Sequence, residues 1–330
     1  MSYDRYIYEK AEAELSKRRY NAETEQELRI KEIEEKIPEI REINIQLSQT
    51  VVELSKLIIS RSPDFEKAFD KIKENNLHAQ KMVNQLLTSN GYPEDYLETH
   101  YRCEKCNDKG YIEGQKCDCF LRLLNKYAVE KLNETANMPD CDFEHFSLDF
   151  YEGKIINGMD CREKMTSIYN YCVDYAKRFT PASDSLFLYG KTGVGKTHLS
   201  LSIAKAVAGK GFTVAYGSII NYLNIIEKEH FGRAESSESD TMSLLINTEL
   251  LVLDDLGSEF STSFYESVIY NIINSRINMG LPTIINTNLS TEELQKKYND
   301  RIISRIFGMY TTLWLTGEDI RQIKRLKNKN

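Results

Sequence analysis

The feature that most constrains this chain is the run Gly190-Lys191-Thr192-Gly193-Val194-Gly195-Lys196-Thr197, which reads G-x-x-x-x-G-K-T. It follows an apolar, aromatic run (Leu186, Phe187, Leu188, Tyr189) with the character of a buried strand. It precedes His198 to Lys210, where Leu199, Ile203, Ala206 and Val207 recur at helical spacing. Strand, glycine-rich loop and helix in that order form a phosphate-binding loop. The glycines let backbone N–H groups turn inward around phosphate oxygens, and the helix N-terminus adds its partial positive charge. Lys196 can then reach the terminal phosphates, Thr197 can sit on Mg2+, and Gly190 through His198 line the nucleotide. The competing reading is a glycine-rich turn ahead of an ordinary helix. The context favours a nucleoside triphosphate, with ATP as the expected cofactor.

Downstream, Leu250-Leu251-Val252-Leu253-Asp254-Asp255 is an apolar strand ending in two carboxylates. Such a strand is expected beside the P-loop strand, with Asp254 holding Mg2+ mostly through water and Asp255 polarising an attacking water. The alternative is a strand followed by a polar turn. Gly280 to Asn288 predicts another central strand with polar residues at its C-terminal end, where ligands bind in open α/β sheets. Asn288 or Asn286 could hydrogen-bond the attacking water or the γ-phosphate, or be an ordinary turn asparagine. Phe212 to Tyr216 predicts a further strand, Ser218 to His230 a helix and residues 232–240 an exposed loop. This alternation implies a parallel sheet with helical crossovers. Two arginine pairs follow, Arg301 with Arg305 and Arg321 with Arg325. Guanidinium groups suit phosphate recognition, although arginines on solvated helix faces are common.

Cys103-x-x-Cys106 and Cys117-x-Cys119 offer four thiolates to one tetrahedral ion, with a short hairpin at Tyr111-Ile112 between Gly110 and Gly114. The second pair is C-x-C, a departure from the usual spacing. Zn2+ is expected over unpaired thiols, with iron–sulfur a minor alternative. Cys141, Cys161 and Cys172 read as small buried or half-buried apolar residues, and His100 as a surface or packing residue.

In the first ninety or so residues, Ile33, Ile37, Ile40, Leu47, Val51, Leu54 and Ile58 follow a 4-3 spacing, with Asn44 at the missing seam position. A helical hairpin or short coiled coil fits, with Asn44 fixing register and Pro38 kinking or splitting the helix. The segment is either a docking arm for a partner or two helices packed on each other.

The resulting division is a helical docking region over 1–98, a four-cysteine zinc module over 99–125, a linker over 126–160 and an α/β ATPase domain over 161–330. A length of 330 residues allows this, and 41% apolar with 28% charged residues fits a globular protein. No long apolar run or signal-peptide core appears, so a cytoplasmic location and no membrane partner are expected. Seven cysteines there argue against a disulfide framework. A net charge of −7 predicts no general affinity for nucleic acid, so any DNA contact needs a local patch. The tail residues Arg321, Lys324, Arg325, Lys327 and Lys329 are one such patch, or merely a soluble end.

G-K-T-G-V-G-K-T-H-L, L-V-L-D-D-L-G, T-I-I-N-T-N-L and R-I-I-S-R-I-F-G, in this order, resemble the AAA+ ATPases of the DnaC/DnaI/IstB group. These are bacterial replicative helicase loaders and related transposition helper ATPases. The likeness covers about residues 140–330. The Cys segment is similar to one that precedes the ATPase core in many such proteins from Gram-positive bacteria and their phages. The first hundred residues are alike only in composition. The resemblance implies a P-loop AAA+ three-layer sandwich with a parallel sheet, hydrolysing ATP to ADP and phosphate. It implies Lys196 and Thr197 as the Walker A pair, Asp254 and Asp255 as Walker B, and Asn288 as sensor 1. Arg305, then Arg301, would be the arginine finger given to a neighbouring subunit, and Arg321 would be sensor 2. Many AAA+ proteins carry Glu where this chain has Asp255. The implied partners are a hexameric replicative helicase, single-stranded DNA and further copies of the chain assembled by ATP. An IstB-like transposition helper and a nucleotide-gated adaptor with little hydrolysis are the alternative functions. The N-terminal extension favours the loader.

Overall fold

A computed structural model describes residues 3–60, 65–134, 141–156, 158–232 and 241–327. Loop residues 233–240, linker residues 135–140, Lys329 and the side chains of Val51, Leu54, Ile58 and Lys327 lie outside the described residues. The chain forms two compact units, one of Ala11–Leu121 and one of Met1–Lys10 with Arg122–Asn330.

In the first unit, which takes α1 (Arg5–Lys36) from Ala11 onward, that helix stops one residue short of Pro38, and α2 (Pro38–Ser60) begins on it. Proline suits a first helical position because its missing N–H would have no helical acceptor there. The restart changes the phase of the apolar stripe. Ile33, Ile37, Ile40 and Ile43 are buried against Val83 and Leu87 of α3 (Phe65–Ser89), with Leu47 packed on them. Ile43 therefore occupies the seam position expected of Asn44. Asn44 is only half-buried and donates to Glu34 Oε1 at 3.0 Å. Within this unit α2 packs on α3, the hairpin reading of the 4-3 spacing. The strands β1 (Tyr111–Ile112) and β2 (Gln115–Lys116) then form the expected short hairpin before α4 (Asp118–Glu134).

The second unit is built on a parallel sheet of five strands among the described residues. They are β5 (Ser185–Tyr189), β6 (Val214–Ser218), β7 (Leu250–Leu256), β8 (Thr283–Thr287) and β9 (Tyr310–Trp314), following a small hairpin of β3 (Ile155–Ile156) and β4 (Met159–Asp160). The order across the sheet is β6-β7-β8-β5-β9. Alternation along each strand sends neighbours to opposite faces. Leu250 and Val252 face α5 (Cys161–Arg178) and α6 (Lys196–Gly209). Leu251 and Leu253 face α7 (Ile219–Phe231), α9 (Ser263–Met279) and α11 (Asp300–Met309). The result is three layers, helix–sheet–helix, as expected of the α/β class. Two shorter helices, α8 (Thr241–Asn247) and α10 (Thr291–Lys297), and the terminal α12 (Ile320–Lys327) complete the unit.

Two expectations change. The Asp-bearing strand β7 is not beside the P-loop strand β5; β8 pairs with both and separates them. β7, α9 and β8 are consecutive and spatially adjacent, the common connection for a parallel crossover. The residues 126–160 also contain packed structure. Residues 126–134 finish α4, whose Val129 and Leu132 enter the core of the second unit, and Tyr151 is fully buried there. Asn133 bonds the edge strand from both ends of its amide, donating to Val214 O at 2.6 Å and accepting from Tyr216 N at 3.0 Å. That satisfies backbone groups which an edge would leave open. Cys161 and Cys172 are buried core residues and Cys141 is half-buried, as expected.

Candidate nucleotide-binding site

The C-terminal ends of β5, β7 and β8 converge on a cavity of about 450 Å³. Two glycines allow the loop after β5 its path. At Gly190 (φ +144°) a Cβ would lie 2.2 Å from the Leu315 carbonyl oxygen. At Gly195 (φ +93°) it would lie 2.9 Å from both the Phe146 ring and the Tyr151 hydroxyl. The loop is held in place by neighbours: Tyr151 donates to Val194 O at 3.0 Å and Ile320 N to Gly193 O at 3.1 Å. α6 then starts on Lys196, aiming its free N–H groups at the cavity.

Lys196 is 6% exposed. Its ammonium donates to Gly190 O and Lys191 O at 2.7 Å and to Asn288 Oδ1 at 2.6 Å, so its three N–H groups are all engaged. Burial brings its pKa down to about 8; Asp254 and Asp255 oppose that fall and Arg321 adds to it. Asp254 accepts from Thr197 Oγ1 at 3.2 Å, Asn286 Nδ2 at 2.7 Å and Tyr216 OH at 3.1 Å. Burial, and then the charge of Asp254, raises the pKa of Tyr216 and keeps it a donor. Asp255 has a left-handed backbone (φ +59°) where the β7–β8 register shifts between Leu253 and Leu256. Such an irregularity re-aims a side chain, and Asp255 Oδ1 accepts from Asn288 Nδ2 at 2.5 Å.

Most of the residues expected at this site meet, with Thr192, Gly193, Gly195, Lys196, Thr197, His198, Asp254, Asp255, Asn288 and Arg321 lining the cavity, whereas Gly190, Lys191 and Val194 are not among the lining residues; Gly190 and Lys191 accept from the Lys196 ammonium and Val194 is buried. Of the tail patch, Lys324 joins Arg321 there and stands 5.3 Å over the Phe150 ring. Arg301 and Arg305 are not among the described lining residues. Arg305 donates to Asn274 Oδ1 at 2.8 Å and lies 4.8 Å over the Tyr270 ring, while Arg301 is exposed.

Sequence reading missed one wall of the cavity, formed by Cys141, His145, Phe146, Ser147 and Phe150. The signal was the aromatic density of Phe143 to Tyr151. His198 Nε2 meets Asp142 O at 2.7 Å and Tyr169 donates to Phe143 O at 3.1 Å, which fastens that wall to α6 and α5. The Asp142 carboxyl is held down at about 2 by its hydrogen bond with His145.

In the other unit, the ligand atoms of Cys103, Cys106, Cys117 and Cys119 lie within 4.8 Å of one another. Cys103 and Cys117 sulfurs are 3.8 Å apart and Cys106 and Cys119 sulfurs 3.4 Å. A tetrahedral site with ordinary zinc–sulfur bonds needs about 3.8 Å between sulfurs, so the set fits such an ion. Buried Asp108 accepts from Arg102 N at 2.8 Å and Cys103 N at 3.2 Å, and Gly110 N donates to Cys106 Sγ at 3.3 Å. These bonds orient the first pair of thiols. His100 is exposed and outside the cluster.

With this geometry in place, residues 165–322 match the family model described as IstB-like ATP binding protein. The parallel sheet with helices on both faces, expected from the alternating pattern, is the fold observed over this span, and ATP binding is what that family model describes. The chain is 23% identical over 305 residues to the replicative helicase loader DnaI of Bacillus subtilis (strain 168), spanning 80% of this chain and 96% of the relative. It is 24% identical over 194 residues to the replicative helicase loader DnaC of Escherichia coli (strain K12), spanning 59% of this chain and 71% of the relative. A crystal structure of the DnaC helicase loader aligns with a TM-score of 0.44 and 24% identity, covering 53% of this chain and 98% of that one. Among the described residues no helix is long and apolar enough to cross a membrane.

Proposed function

We propose that this protein is an ATP-driven loader of a hexameric replicative helicase onto single-stranded DNA. The observation that carries this reading is the extent of the likeness to DnaI, which spans 96% of that relative rather than its ATPase core alone. A transposition helper, the other activity associated with IstB-like domains, is the weaker reading for the same reason.

In this reading Lys196 binds the terminal phosphates, and Thr197 and Asp254 hold Mg2+, which offsets phosphate charge when bound. Asp255 polarises water, with Asn288 as sensor 1 and Arg321 as sensor 2. Incoming phosphate oxygens compete for the ammonium of Lys196 and free Asn288 to hold the water that Asp255 polarises. Arg305, which does not line its own cavity, serves a neighbouring copy's γ-phosphate, which makes assembly ATP-dependent. Cys103, Cys106, Cys117 and Cys119 hold one structural Zn2+, and the helical region before them docks the helicase. The division into 1–98, 99–125 and 161–330 is the assignment of these roles, with the Met1–Lys10 segment and α4 from Arg122 onward counted structurally with the ATPase unit.

For DNA, the surface that best suits the chemistry is aromatic. Phe231 is 65% exposed, and with His230 and half-buried Phe264 it forms a cluster whose ring centroids lie 4.7–5.3 Å apart. Exposed rings stack on unpaired bases without regard to sequence, which an acidic protein can use without a large basic surface. The test is steady-state ATP turnover of the whole chain with and without single-stranded DNA, and co-sedimentation with the hexameric helicase of the source cell. A chain that neither turns over ATP nor retains helicase is not a loader. Binding of ATP without turnover would instead favour the nucleotide-gated adaptor.

A further inference from the structure

Asn286 lies on β8, two residues before Asn288, and is 1% exposed. Its Nδ2 donates to Asp254 Oδ1 and to Ser200 Oγ, both at 2.7 Å. Neither partner lets the amide be turned over. An ionised Asp254 can only accept, and the Ser200 hydroxyl has already given its proton to Thr197 O at 3.1 Å. Both N–H groups of Asn286 are therefore used. Its Oδ1 is left buried, with no donor among the described residues. A buried amide oxygen without a donor is costly enough to be rare, and Asn286 lines the nucleotide cavity. That position makes a group held in the cavity the natural donor. Ionised phosphate oxygens only accept and do not qualify. A water on a divalent cation does, because the cation acidifies its protons. The cation's expected carboxylate is Asp254, the residue Asn286 already holds.

We propose that Asn286 is a positioning residue for Mg2+: its amide N–H locks the Asp254 carboxylate and its Oδ1 accepts from a magnesium-bound water. This rests on the reading of Lys196, Thr197 and Asp254 as an ATP–Mg2+ site. It separates the work of the two asparagines. Asn286 serves the metal, and Asn288 links Lys196 with Asp255.

The test uses the full chain as wild type, Asn286→Ala and Asn286→Leu, the last filling the same space without a polar atom. Binding of a non-hydrolysable ATP analogue is measured in Mg2+ and in EDTA, and Mn2+ binding to the complex is followed by electron paramagnetic resonance. In both variants affinity in EDTA should stay within about twofold of wild type, while the gain from Mg2+ and the Mn2+ affinity fall by about tenfold or more. Equal losses with and without Mg2+ would show an ordinary core amide bound to a structural water, and overturn the proposal. So would an undiminished Mg2+ gain. Where the alanine variant does not fold, the leucine variant decides. Wild-type protein that binds the analogue equally well in EDTA overturns the magnesium reading and this inference with it. Wild-type protein that binds no analogue overturns the P-loop reading itself, a failure visible before either variant is measured.

Discussion

Lys196 and Asn288 are joined directly, ammonium to amide oxygen at 2.6 Å, and Asn288 passes the connection to Asp255 through its Nδ2 at 2.5 Å. Lys196 and Asp255, the proposed phosphate-binding cation and water-polarising carboxylate, are thus coupled by one side chain, placed one residue past the end of β8, the strand between β7 and β5. Asn288→Ala should leave nucleotide affinity nearly unchanged, because Lys196 keeps two backbone acceptors, and slow turnover by about tenfold or more. Binding isotherms beside steady-state turnover check this. A variant that loses binding instead would make Asn288 a ligand-binding group.

The low pKa of Lys196, about 8 against an ordinary 10.5, gives a pH signature. Between those values the unfolded chain holds the proton more tightly than the folded one, so this group's contribution makes ligand-free stability rise with pH across that window. Phosphate favours the charged form, so ATP binding above pH 8 takes up a proton and affinity should fall as pH rises. Calorimetry in two buffers of different ionisation enthalpy measures the proton; no uptake at pH 9 would place Lys196 away from the phosphates.

Lys196→Ala should abolish ATP binding in a folded protein, and Asp254→Ala should weaken its Mg2+ dependence. Asp255→Asn should keep binding and lower turnover by about a hundredfold or more, the range of a lost general base. Circular dichroism confirms the fold in each. Unchanged ATP affinity in folded Lys196→Ala protein would sink the P-loop reading.

Purified, untagged protein should contain about one zinc per chain, as a site built from four cysteines requires. A chelator should lower the melting temperature, since a module with so little core depends on its ion. Four freely titratable thiols in metal-free protein would refute the site.

ATP should promote self-association, visible by sedimentation. Arg305→Ala should impair hydrolysis without impairing nucleotide binding, and mixing it with Lys196→Ala protein should restore part of the activity at mixed interfaces. Full activity in Arg305→Ala would show that its contacts with Asn274 and Tyr270 are its whole role.

Phe231→Ala and Phe264→Ala should each weaken single-stranded DNA binding by about 1–3 kcal/mol, the cost of one lost stack, while ATP binding persists. Fluorescence anisotropy with a labelled oligonucleotide measures it.

By itself the sequence determined the local chemistry. A G-x-x-x-x-G-K-T loop between a strand and a helix, an apolar strand ending in Asp254-Asp255, and four clustered cysteines are short-range patterns. Their backbone requirements are met by neighbours within a few residues. Pro38 splitting α1 from α2 was legible for the same reason. What the sequence left open were relations between distant segments. Which strand lies between β5 and β7 depends on how crossovers stack, and periodicity carries no information about that. The phase of the seam around Asn44 depends on the turn taken at Ile37 and Pro38, which moved Ile43 inward. Phe146 and Tyr151 looked like part of a linker until the close approach at Gly195 brought them against the P-loop. Only tertiary packing gave Asn286 and Asn288 different partners, because their side chains end beside Asp254 in one case and beside Lys196 and Asp255 in the other. Hydrogen bonding is directional and short-ranged, so such roles are decided where the folded chain brings donors and acceptors together, far beyond the reach of a sequence window.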